Sequence, residues 1–138
     1  MIKFNILILE DDINRVNAFN NIFELKKHNV IYHDNAPDFI KTLEHIDYDV
    51  DLMFLDHDLG NRVFVDELDI NTGSEVVRYL ISNSEKYKNT IFIVHSFNQP
   101  AAKNMVFNIR KNITNNVKYI PGVWQKEIFK TNIKFSNI

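Results

Sequence analysis

Residues 51–60 read DLMFLDHDLG: four apolar side chains in succession, Leu52 to Leu55, and then two carboxylates flanking a histidine. An unbroken apolar run of this length, closed off by polar residues, marks a strand buried on both faces, the kind found in parallel sheets covered by helices. Its end is the anomaly. Asp56, His57 and Asp58 follow directly on buried chain, and a charged side chain costs several kcal/mol to take out of water unless something pairs with it. What stands opposite these three residues is the question the remaining sequence has to answer.

Outward from this strand, short apolar runs alternate with segments of helical period. KFNILILE (3–10) reads as a first strand ending at Glu10 and Asp11. Asp12 suits the cap of a helix whose Ile13, Val16, Phe19, Phe23 and Leu25 fall near one face. NVIYHD (29–34) is a second strand, and APDFIKTLEHI (36–46) a helix with Pro37 in its first turn and Phe39, Ile40, Leu43 and Ile46 as its stripe. The third strand is DVDLMFLD (49–56). GNRVFVDELDINTG (60–73) is polar and irregular and reads as a long loop. SEVVRYLISNSEK (74–86) is a helix, TIFIVHS (90–96) a fourth strand, PAAKNMVFNIRKN (100–112) a fourth helix with Met105, Val106 and Ile109 toward the core, and NVKYIPG (116–122) a short fifth strand. In the tail, Trp124 and Ile128 have helical spacing, but its end reads equally as extended. Alternation of this kind predicts an α/β fold: a doubly wound, five-stranded parallel sheet of flavodoxin-like strand order 2-1-3-4-5, with residues 1–138 forming one domain.

Composition narrows the function. The formal charge of −2 offers no basic surface for gripping duplex nucleic acid. The absence of cysteine removes disulfides, thiolate metal sites and cysteine nucleophiles. The apolar run near the N-terminus is too short for a signal peptide and no stretch is long enough to span a bilayer, so the expected location is the cytoplasm.

In the expected strand order, strands 1, 3 and 4 are neighbours, and ligands bind beyond their carboxyl ends. Glu10 and Asp11, then Asp56, His57 and Asp58, then His95 and Ser96 would converge there, with Asn98 opening the next loop. Facing acids make burial worse unless a cation joins them. A hard divalent ion, Mg2+ or Mn2+, held by Glu10, Asp11 and Asp56 and open to a phosphate oxygen, answers the requirement. The competing reading makes the same acids strand-end caps and solvated turn residues. Arg15, one turn into the first helix, either grips phosphate or lies on a solvated face. Ser96 and Asn98 either donate to phosphate oxygens or close the loop. Asp66 and Asp69 either serve a second cation or keep the long loop hydrated. His28, His33 and His45 have no companion acids and are expected at the surface.

ILILEDD, DLMFLD and IVHS at these spacings resemble the receiver domains of two-component response regulators. The resemblance implies an acidic pair at Glu10 and Asp11, a phospho-accepting Asp56 and a hydroxyl at Ser96. Receivers also carry a lysine immediately before a proline after strand 5; here YIPG puts Ile120 at that place, with Lys118 two residues earlier. A more extensive similarity, over most of residues 6–122, is to the cyclic-phosphate-processing receiver family. It rests on LEDDINR, FLDHDLGNRVFVDELDINTG and IVHSFNQPAAKNM, and its marks fall on Asp56, His57, Asp58, Gly60, Asn71, Gly73, His95, Ser96, Asn98 and Met105. It implies a metal-assisted site for phosphates of nucleotides or RNA ends.

On that basis His57, His95 and Asp56 are the candidate catalytic residues. One of the two histidines would protonate a leaving oxygen, with Asp58 orienting the ring. Strand alternation, if it continues, would put Asp56 and Asp58 on one side and His57 on the other. Arg15, Ser96 and Asn98 are the candidate phosphate ligands. The expected partner is a phosphorylated small molecule, nucleotide or RNA end. Two other readings remain open at this point, a phospho-accepting signalling receiver and a silent receiver-like adaptor.

Overall fold

The computed structural model describes residues 3–121, apart from the side chains of Ile22, Phe23 and Leu25. The assignment of Phe23 and Leu25 to the apolar face of the first helix therefore lies outside the described residues, as do Gly122, Trp124 and Ile128.

Each apolar run becomes a strand and each helix-period segment a helix. In chain order the elements are β1 (Asn5–Leu9), α1 (Ile13–Phe23), β2 (Asn29–His33), α2 (Ala36–His45), β3 (Leu52–Leu55), α3 (Gly73–Ser82), β4 (Ile91–Val94), α4 (Gln99–Asn112) and β5 (Val117–Tyr119). Every strand pairing is parallel, and the order across the sheet is β2-β1-β3-β4-β5, as expected from the sequence. Among the described residues, no helix is long and apolar enough to cross a membrane.

The pleat distributes the strands' side chains between two cores. Leu7, Leu9, Met53, Leu55, Phe92 and Val94 pack with Phe39 and Leu43 of α2, Val76 and Leu80 of α3, and Met105 and Ile109 of α4. The alternate residues, Ile6, Ile8, Leu52, Phe54 and Ile93, pack with Phe19 of α1 and with Ile120. Burial on both faces accounts for the unbroken apolar character of β3, since neither set can be polar.

Helix starts follow local chemistry. Asp12, Asn35, Thr72 and Asn98 are the N-caps of α1 to α4, each side chain accepting from a backbone N–H of the first turn that has no partner within the helix. Two segments are shorter than their period suggested. The first helix ends at Phe23, where Glu24 adopts a left-handed φ of 49°, and Leu25 belongs to a separate 3-10 turn. The third ends at Ser82, and Ser84–Tyr87 form another such turn that buries Tyr87. Residues 60–72 form an irregular connection of turns, with positive φ at Gly60, Asn61 and Phe64.

Candidate functional site

The backbone ladder runs one residue beyond the strands. Asp56 N–H donates to Leu9 O at 3.2 Å and His95 N–H to Leu55 O at 3.1 Å, while Glu10 N–H donates to His33 O at 3.0 Å. Because Leu9, Leu55 and Val94 are in register, the three following residues form a row across the sheet. By the pleat this row shares a face with Ile8, Phe54 and Ile93, the side covered by α1. Glu10, Asp56 and His95 are all buried, and one donor atom from each lies within 4.8 Å of the others. This juxtaposition answers the question posed by DLMFLDHDLG: Asp56 stands beside a second buried acid and an imidazole.

Two acids in a row this dry cannot both ionise without a counter-charge. Burial, and then the charge of Asp56, push the Glu10 carboxyl up to about 9. Burial also raises Asp56, to about 6, against the opposing pull of Arg15 and of hydrogen bonds from Glu10 and His57. The two carboxyls therefore share a proton. Arg15 brings a positive charge to both: its Nη1 lies 3.5 Å from Glu10 Oε1 and from Asp56 Oδ2. Glu10 Oε2 accepts from the N–H groups of Asp11 and Asp12, and Asp56 Oδ1 from that of His57.

His95 is the base of the row. Its ring packs edge-on to Phe19, with centroids 5.3 Å apart, and also lies near Phe54. Burial, followed by the charge of Arg15, lowers its pKa to about 3, so the imidazole is neutral. Its Nδ1 is 3.6 Å from Glu10 Oε1. It is placed as a neutral base or ligand and has no proton to spare as a cation.

The other expected residues are distributed differently. Asp11 stands at the rim, where its Oδ2 accepts from Asn61 N–H at 2.7 Å and ties the long loop to the start of α1. His57 leaves the row and turns toward the N-terminus of α4. It is fully buried, its Nδ1 donates to Asp58 Oδ1 at 2.9 Å, and its Nε2 has no hydrogen-bond partner among the described residues. Asp58 also accepts from Phe64 N–H, Val65 N–H and the Asn98 side-chain amide. Burial alone would raise Asp58, but the hydrogen bonds from Asn98, His57, Val65 and Phe64 outweigh it and hold the carboxylate below its usual range.

Asn98 accepts from Ala101 N–H as the α4 cap and donates one amide hydrogen to Asp58. Asp66 and Asp69 are likewise engaged within the loop, Asp66 by Leu68 N–H and Asp69 by Arg62 and Asn71 N–H. Ile120 is buried in the α1-side core. The place where receivers carry their lysine is therefore apolar here.

Above the acidic row opens a cleft of about 230 Å³, walled by Asp11, Arg15, Asp56, Asp58 and Ser96 together with Arg62, Val63 and Phe97. The last three were not singled out from sequence. They sit in irregular chain, where no periodicity marks a side chain as facing a site. Gly73 supports the floor from behind: a Cβ built on it would lie 1.9 Å from the Asp56 carbonyl oxygen. Only glycine permits that approach between the start of α3 and the end of β3.

No curated protein sequence matches this chain significantly. Among solved structures it is similar to the response regulator receiver domain (CheY-like) of Methylobacillus flagellatus, at 17% identity and a TM-score of 0.61, covering 94% of this chain and 95% of that one. It is also similar to the phosphorylated cyanobacterial phytochrome response regulator RcpA, at 16% identity and a TM-score of 0.65, covering 94% and 89%. The Mn(2+)-bound form of the response regulator Rcp1 matches at 16% identity and a TM-score of 0.64, covering 93% and 88%. These likenesses establish a receiver fold. A more specific match comes from a family model, that of the cyclic-phosphate processing receiver domain, which aligns with residues 6–111 and so spans every residue that lines the cleft. The chain belongs to that family.

Proposed function

We propose that this protein binds a divalent cation, magnesium or manganese, at Glu10 and Asp56 with His95 alongside, and takes a phosphate ester in the cleft above them. The ester would be the cyclic phosphate of a nucleotide or RNA end. The observation that carries this reading is the buried row Glu10–Asp56–His95, whose two carboxyls are pushed up and whose imidazole is neutral. That donor set fits the cation, because it is short of positive charge and holds an unprotonated nitrogen. The two carboxylates suit either ion, and the imidazole makes manganese the better match of the two. The manganese in the structure of the similar regulator Rcp1 is consistent with this choice.

When bound, such a cation supplies charge neutralisation and a more acidic water. The chain's own residues do the rest. Arg15, only partly buried, has room to transfer its guanidinium from the two acids to a phosphate oxygen. The Ser96 hydroxyl lines the cleft and donates to a second oxygen. Asp58 forms the opposite wall and fixes the Nδ1 proton of His57. On this reading Asp58, which lines the cleft and is braced by His57 from behind, accepts a proton from the attacking water and passes it to the leaving oxygen as the P–O bond of the ring breaks, whereas His95 holds position as a neutral group. Phosphoryl acceptance at Asp56 is the alternative that a receiver fold allows; the apolar Ile120 deprives it of the ammonium that would meet the new charge.

Calorimetric titration with Mn2+ tests the reading. The wild type should bind one equivalent, and Asp56→Asn should lose at least tenfold in affinity, a change of about 1.4 kcal/mol or more. Equal affinities would refute it.

A further inference from the structure

We infer that Phe97 is the platform on which the base of a nucleotide ligand stacks, with Val63 of the long loop bordering the same cleft. The assignment rests on the metal and phosphate reading above and adds the part of the ligand that reading leaves undefined. Phe97 lies between Ser96 and Asn98, which are buried, yet is itself 59% exposed. It is thus an aromatic ring carried outward from the end of β4 at the mouth of a charged cleft, next to the hydroxyl expected to meet the phosphate. The Arg15 guanidinium lies 5.6 Å from its ring centroid, so the phosphate-gripping cation and the ring are neighbours. Val63, 78% exposed, contributes to the same cleft from the facing loop.

Exposed apolar side chains are common singly. Here two of them border a cleft that joins Asp56, Arg15 and Ser96. A cleft of about 230 Å³ holds a phosphate and its sugar, and a base would project past the rim onto the ring. The alternative wall, across Asp11, has Tyr32 and His33. There both rings are only partly exposed, Tyr32 packed against the α1-side core with its hydroxyl donating to Asn20, and His33 bonded to Thr42 and edge-on to Phe39. An aromatic face at a phosphate site binds any base, since every base offers a π-surface, and it discriminates nucleotides from phosphorylated sugars.

The test uses the full chain with Mn2+ and three probes: inorganic phosphate, a base-less methyl riboside 2′,3′-cyclic phosphate, and the 2′,3′-cyclic phosphate of 2-aminopurine riboside. In the wild type the base should improve affinity over the base-less probe by at least roughly fivefold, and 2-aminopurine fluorescence should be quenched by stacking. Phe97→Ala should abolish both the increment and the quenching while still binding inorganic phosphate in the presence of Mn2+, and Phe97→Tyr should retain both. If Phe97→Ala keeps the increment, the base lies elsewhere and this assignment is wrong, although the phosphate reading survives. If none of the three probes binds the wild type, the underlying reading fails and takes this one with it.

Discussion

Replacing Gly73 by alanine tests the most exacting contact in the molecule. The added Cβ would meet the Asp56 carbonyl oxygen at 1.9 Å, its carbonyl carbon at 2.9 Å and Met105 Cε at 2.7 Å. Met105 is flexible and can retreat, but Asp56 is backbone, held by ladder bonds in the centre of the sheet. Restoring an ordinary contact of 3.4 Å requires a displacement of about 1.5 Å between the start of α3 and the end of β3. Overpacking a tight core costs about 1–3 kcal/mol, and a clash with fixed backbone belongs at the top of that range. For a domain of this size 1 kcal/mol corresponds to about 3–5 °C, so the melting temperature should fall by roughly 10–15 °C. Binding should suffer as well, because a site tolerates only about 0.5 Å of misplacement and Asp56 is the residue displaced. Differential scanning calorimetry and Mn2+ titration read the two effects. Gly60→Ala is the control: its Cβ meets nothing closer than 3.5 Å, and only the positive φ of 71° opposes it, at about 1–2 kcal/mol. If Gly73→Ala melts within 3 °C of the wild type and binds Mn2+ as well, the close approach and its role in placing Asp56 are refuted.

Two further outcomes follow from the electrostatics. Glu10 is raised in the folded state, so its contribution favours folding fully below the unfolded value near 4.5 and is lost as pH climbs through about 9. In chelator the melting temperature should therefore fall between pH 5 and 9, and Glu10→Gln should flatten the decline; an unchanged slope in that variant would contradict the shared proton. Asp58→Ala removes the acceptor for Phe64 N–H, Val65 N–H, His57 and Asn98. It should cost about 1–3 kcal/mol and accelerate amide exchange across residues 61–72, whereas exchange at the wild-type rate would show that Asp58 does not fasten the loop.

The order of strands and helices, the parallel sheet and the acids at strand ends were legible in the chain, because each depends on local facts. Unbroken apolar runs, helical periodicity and the capping residues Asp12 and Asn98 are properties of neighbours in sequence. So was the replacement of a lysine by Ile120, which needs only a position beside Pro121. Which polar residues meet was decided in three dimensions. Asp11 and Glu10 are adjacent in sequence, yet only Glu10 continues the pleat onto the α1 face, while Asp11 turns out to bind Asn61 N–H. Strand alternation already pointed His57 away from Asp56, but only the folded sheet shows that the ladder carries His95 into the acidic row and that His57 is bonded to Asp58. Asn98 read equally as a phosphate donor or a loop-closing residue; in the fold the helix it caps takes its oxygen, and Asp58 takes one of its two amide hydrogens. Phe97 and Val63 had no sequence signal at all, because exposure at a cleft mouth leaves no periodic trace. Burial supplies the final distinction. A sequence lists titratable groups, but the state of Glu10, Asp56 and His95 depends on how much water the sheet, α1 and Phe19 exclude from around them, and that exclusion exists only once the chain has packed.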